Sequence, residues 1–165
     1  MQLGSILQEQ TGTPCVSHPV EFSLLKMTAN GKMRFRVKAL MFPVSEADRL
    51  TSERAAMTFL RQQAEYAKKE TGEQPPIPSD VILHERVLKF LQASLHCEDD
   101  PLCRLIAEED YRTFRAGIIH DQVDWLWEQY KAFIAREYQE LAPMDDLMKE
   151  ALGNSKADPS AQGNS

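Results

Sequence analysis

The sequence predicts an α+β fold, with an N-terminal antiparallel β-hairpin, then a mainly α-helical domain, then a disordered C-terminal tail. Three observations predict it. Apolar and basic residues alternate strictly from Met33 to Ala39, with Met41 in the same phase, the period of a half-buried strand. Beyond Ser45 the apolar residues recur at three- and four-residue steps, the period of helices buried on one side. The closing stretch "GNSKADPSAQGNS" holds no large apolar residue. At 165 residues and 42% hydrophobic, the chain is long enough for a compact domain with its own core. The reading is a flexible arm over 1–19, one α+β domain over 20–141, and a mostly disordered tail over 142–165.

The hairpin spans 20–42. Met33, Phe35, Val37, Ala39 and Met41 take one face and Arg34, Arg36 and Lys38 the other, with Lys26 expected across from the basic row. Val20, Phe22 and Leu24 make the partner strand. Asn30-Gly31 is a turn signal in which both residues tolerate positive φ. A helix follows over about 45–70. Ser45 with Asp48 forms a capping box after Pro43, and Gly72 after Lys68-Lys69 closes the C-terminus. Its inner stripe is Leu50, Ala56, Met57, Leu60, Ala64 and Ala67, and a break is expected near Thr51. The prolines of "TGEQPPIPS" stop the helix.

A second helix covers 80–96, capped by Ser79 or Asp80, with a broad arc of Val81, Val87, Leu88, Leu91 and Leu95 and with Leu83 and Phe90 at its margins. Asp100-Pro101 turns the chain, and a short helix fits Leu102–Ala107. The last helix covers 114–141, where Ile119, Val123, Leu126, Tyr130 and Phe133 form one stripe. It carries both tryptophans. With Ile119 at the origin of a wheel turning about 100° per residue, Trp127 falls near 80°, inside the stripe, and Trp125 near 240°, on the opposite side beside Ile118. Trp127 is therefore a core residue. Trp125 and Ile118 either pack under another part of this chain or serve as apolar anchors for a partner.

The net charge of −6 and pI near 5.3 argue against general nucleic-acid or anionic-membrane binding. The charge is uneven, with five basic against two acidic groups over 1–41 and seven against fifteen over 98–165. Three cysteines do not make a paired disulfide framework. No signal segment and no apolar run near the ~20 residues of a membrane span is found, so a reducing cytoplasm is expected. His96, Cys97 and Cys103, with His84, are the only soft-ligand cluster. Five residues separate the two cysteines, wider than the usual zinc spacing, so two buried free thiols beside a turn are the better reading. The carboxylate runs sit at helix ends, where the dipole explains them. No catalytic residue, metal or cofactor is expected, and the chain reads as a non-enzyme. Arg34, Arg36 and Lys38 are the surface best suited to a partner. Phosphates could use them, but no exposed aromatic interleaves with them as single-strand binding requires, which makes nucleic acid the weaker choice.

The strand pair "VEFSLLKMTANGKMRFRVKAL", the helix start "SEADR" and the closing "FRAGIIHDQVDWLWEQYKAF", with Gln122, Leu126 and Tyr130 at i, i+4 and i+8, together resemble the tail assembly chaperones of long-tailed phages and prophages. The resemblance implies a non-enzymatic chaperone in the host cytoplasm. It would bind the tape-measure protein and the tail-tube protein during tail morphogenesis and be absent from the finished particle. It also implies a longer frameshifted product, and Leu152-Gly153-Asn154 is compatible with the codons CUG GGA AAC, which contain a slippery heptamer. The alternatives are a small regulatory or RNA-binding protein using the basic hairpin face, and a structural head–tail component.

Overall fold

The computed structural model describes residues 2–9 and 12–138. The order of elements is α1 (Leu3–Glu9), β1 (His18–Thr28), β2 (Gly31–Met41), α2 (Glu46–Thr71), α3 (Ser79–Ser94), β3 (Leu95–Cys97), α4 (Tyr111–Gly117) and α5 (His120–Glu137). This is the expected α+β arrangement, an antiparallel sheet followed by a mainly helical region. The sheet has three strands in the order β1-β2-β3. The chain divides into two compact units, Met1–Glu128 and Gln129–Ser165. In the second, Phe133 lies edge-on to Tyr138 at 5.8 Å. The tail expected over 142–165, with Leu152-Gly153-Asn154, lies outside the described residues.

β1 and β2 pair along their whole length, from His18↔Met41 to Thr28↔Gly31. Only Gly31 takes a positive φ, of 96°. Asn30 keeps a negative one, so the turn is not the doubly left-handed form expected. Thr28 provides the alternative, its hydroxyl accepting from the Asn30 amide and donating to the Gly31 carbonyl. The register also corrects the position of Lys26. It pairs with Met33 and so lies on the apolar face, away from the basic row.

Ser45 caps α2 by accepting from the Asp48 amide at 3.1 Å, and Gly72 ends it in the left-handed conformation. No break occurs near Thr51. The Thr51 and Ser52 hydroxyls donate to the carbonyls four residues back, a bond the unbroken helix accommodates. α2 packs along α3 through Ala56 and Leu60, with Phe59 edge-on to Tyr111, while Leu50 is exposed. Glu53 ties the two helices together by accepting from Arg49 and Arg86. Neither Ser79 nor Asp80 caps α3, because the helix begins at Ser79 behind Pro78.

Two predicted helices are interrupted. The 80–96 helix stops at Ser94, and Leu95–Cys97 cross to β2 as β3, pairing Ala39↔Cys97 and Met41↔Leu95. The 114–141 helix begins earlier, at Tyr111, and breaks at Ile118 and Ile119. There Ile118 forms an antiparallel bridge with Leu24 on the free side of β1. Gly117 makes the approach possible, since a Cβ on it would lie 2.8 Å from the Leu25 carbonyl oxygen. The core of the first unit joins Val20, Phe22, Ala39 and Met41 of the sheet to Leu88, Leu91, Leu95, Phe114, Val123 and Leu126. No helix among the described residues is long and apolar enough to cross a membrane.

Candidate functional site

The sequence singled out five residues for partner binding, and they fall at three separate places. Arg34, Arg36 and Lys38 stand in a row on one face of β2, at alternate positions as the strand period requires. Arg34 Nε donates to the Ser23 hydroxyl at 2.8 Å. Arg36 lies 3.7 Å from Glu21, an exposed contact that holds little energy. Lys38 borders a cleft of about 530 Å³ with Cys97, Glu98, Asp99 and Leu105. Ile118 is half-buried in the break between α4 and α5, so the helical wheel that set it beside Trp125 does not apply. Trp125 remains on α5 and is 43% exposed. Trp127 is half-buried rather than fully so, with Phe90 edge-on to it at 5.2 Å.

The apolar face of the hairpin is buried only at its base. Val20, Phe22, Ala39 and Met41 are covered, whereas Met33 is 43% and Phe35 44% exposed. On the opposite face Met27 is 70% exposed. Sequence alternation marked the face correctly but gave no sign of where the covering helices end. The outer half of the hairpin thus shows exposed Met33 and Phe35 on one face, and exposed Met27 beside the basic row on the other.

Gln122 has a structural task at the other edge of the sheet. Its Oε1 accepts from the Ser23 amide of β1 at 2.7 Å. With the Ile118 bridge, this covers part of an edge that would otherwise present unpaired backbone.

A groove of about 630 Å³ lies between the first turns of α3 and α5, floored by Val81, Val87, Val123 and Trp127. His84 and His120 meet there with ring centroids 5.2 Å apart, a pairing that sequence reasoning missed because 36 positions separate them. Burial, and then the charge of His120, hold the His84 imidazole below its ordinary range. Of the groove's carboxylates, Asp80, Glu85 and Asp124, Glu85 is fully buried and accepts from the Tyr111 hydroxyl and from Arg115 Nε. Burial and that carboxylate push the Tyr111 phenol well above its usual range, so it stays a donor. Glu85 is therefore an internal brace between α3 and α4. Lys89 is a second brace, its ammonium donating to Glu108 at 3.2 Å and lying 3.5 Å from the centre of the Tyr111 ring. Every buried side-chain nitrogen and oxygen among the described residues has a partner.

His96, Cys97 and Cys103 lie together at β3, away from His84. His96 Nδ1 meets the Pro101 carbonyl, and both thiols point to the Arg104 carbonyl. Among the described residues no three His, Cys, Asp or Glu side chains are placed to hold a metal ion. The thiols are not buried as expected, since Cys103 is exposed and Cys97 half-buried. Burial and the neighbouring Cys103 thiol push Cys97 upward, away from a reactive thiolate.

No family model matches this chain, and neither does any curated protein or solved structure.

Proposed function

We propose that this chain is a non-enzymatic, client-binding protein that acts as a phage tail assembly chaperone, holding the tape-measure protein, the tail-tube protein or both in the host cytoplasm before polymerisation. The observation that carries the reading is Trp125. A large amphipathic aromatic, 43% exposed on a packed helix, is the kind of residue that anchors protein–protein contacts. The exposed Met33 and Phe35 add a second apolar surface of the kind an aggregation-prone client needs. The resemblance supplies the identity of the clients.

The test is co-expression with the tape-measure protein of the same genome. Trp125→Ala keeps the thermal midpoint within the spread of surface substitutions and loses capture of the client in the soluble fraction. Trp127→Ala, which removes the Phe90 contact, lowers stability by about 2–3 kcal/mol. Equal loss of stability in both variants, with capture following stability, contradicts the anchor role. Sequencing the gene across codons 150–165 tests the phage assignment separately, because a slippery heptamer with an open −1 frame supports it. The basic row favours one second reading, RNA binding, under which Arg34→Glu with Arg36→Glu abolishes a salt-sensitive RNA complex.

A further inference from the structure

β2 has an open outer edge. β3 pairs with it only at Ala39, Leu40 and Met41, and beyond Cys97 the chain turns away. The Phe42 amide donates to the Ser94 carbonyl on the β3 side. Backbone groups alternate along an unbroken strand, so the N–H and C=O of Leu40 and of Lys38, Arg36, Arg34 and Lys32 reach that same edge. Among the described residues no backbone hydrogen bond is made to this edge over Lys32–Lys38. The four residues that present the open backbone are the four that carry positive charge. Their neighbours on the other face, Met33 and Phe35, are the exposed apolar ones.

Charged side chains are a usual guard on a sheet edge. This edge is also long, and its apolar face is uncovered, which suits β-strand addition, where the edge supplies hydrogen bonds and alternate side chains supply selectivity. The charge selects the guest. A second copy would set two rows of four basic residues beside each other, and like charges across a strand pair repel. An acidic strand instead pairs with the row. At the Lys38 end Glu98 and Asp99 already line the cleft, so the guest's carboxylates sit against Arg34 and Arg36.

We propose that the outer edge of β2 over Lys32–Lys38 accepts an extended segment of a partner polypeptide in which acidic residues alternate with apolar ones, the acidic set facing Arg34 and Arg36 and the apolar set facing Met33 and Phe35. This deepens the client-binding reading by adding a second contact. Its failure is distinguishable, because Trp125-dependent capture of the client does not require it.

The probe is a synthetic eight-residue peptide of alternating Glu and Val, titrated against the full chain by calorimetry, with an N-methylated version of equal charge and a single-stranded RNA oligonucleotide alongside. The unmodified peptide binds and the N-methylated one does not. Arg34→Glu with Arg36→Glu weakens binding by about tenfold or more. Arg36→Pro removes one outward N–H at a position where an edge strand tolerates proline, and it weakens binding while the circular dichroism spectrum stays unchanged. Absence of peptide binding, equal binding of the N-methylated peptide, an unaffected Arg36→Pro variant, or tighter binding of the RNA each overturns the proposal.

Discussion

The two ends of the hairpin obey one sequence pattern and live in different surroundings. At the base, Phe22 is buried and lies edge-on to Phe114, with rings 6.2 Å apart. Toward the tip, Phe35 occupies the same face of the sheet with nearly half its surface in water. Strand periodicity fixes which face a side chain takes. Whether that face is covered depends on elements remote in sequence, here α4, whose Phe114 packs on Phe22 at the base while Met33 and Phe35 stay exposed. Apolar residues that the local pattern favours but the fold leaves uncovered are candidates for contact with another molecule.

The largest effect separates the two phenylalanines. Phe22→Ala removes a core aromatic and costs about 3–5 kcal/mol of unfolding free energy in urea titrations. Phe35→Ala stays within about 0.5 kcal/mol of the wild type in the same titration. Comparable losses at both positions would mean that the tip is part of the core.

An intermediate effect lies at the covered edge of the sheet. Gly117→Ala places a methyl group against the Leu25 carbonyl, and with backbone on both sides of the clash it costs about 1–3 kcal/mol. Disruption there also releases Ile118 from Leu24, so the amides of β1 near Leu25 lose exchange protection.

The smallest effect is pH-dependent and belongs to the His84–His120 groove. Burial lowers the folded-state pKa of His84 below its ordinary value of 6.5, so between those two values the unfolded chain binds more protons than the folded one. Stability therefore falls as pH drops through that window, with His120, Glu85, Asp124 and Arg115 setting its position. His84→Gln flattens the dependence in thermal melts recorded from neutral pH downward. A variant with the same slope as the wild type would assign the slope to other groups.

Much of this fold was legible in the sequence, because the signals were local. Strict alternation gave β2, Ser45 with Asp48 gave the start of α2, and Gly72 gave its end. What was missed depended on distant partners. Leu95 fits the apolar arc of α3 but leaves the helix to pair with Met41, and Ile118 fits a continuous helix but bridges Leu24. Gly117 was the available local clue, a glycine inside an otherwise good helical pattern. Of the candidate site, the basic row and Trp125 were legible because both lie off an apolar stripe. The open edge was not, since it exists only because β3 is three residues long.

Native-state hydrogen exchange along β2 tests the open edge most directly. The account predicts alternation, with fast exchange at Lys32, Arg34, Arg36 and Lys38, whose amides point outward, and protection at Met33, Phe35 and Val37, whose amides point to β1. Protection at the four basic positions equal to that of Leu40, which β3 covers, would contradict it.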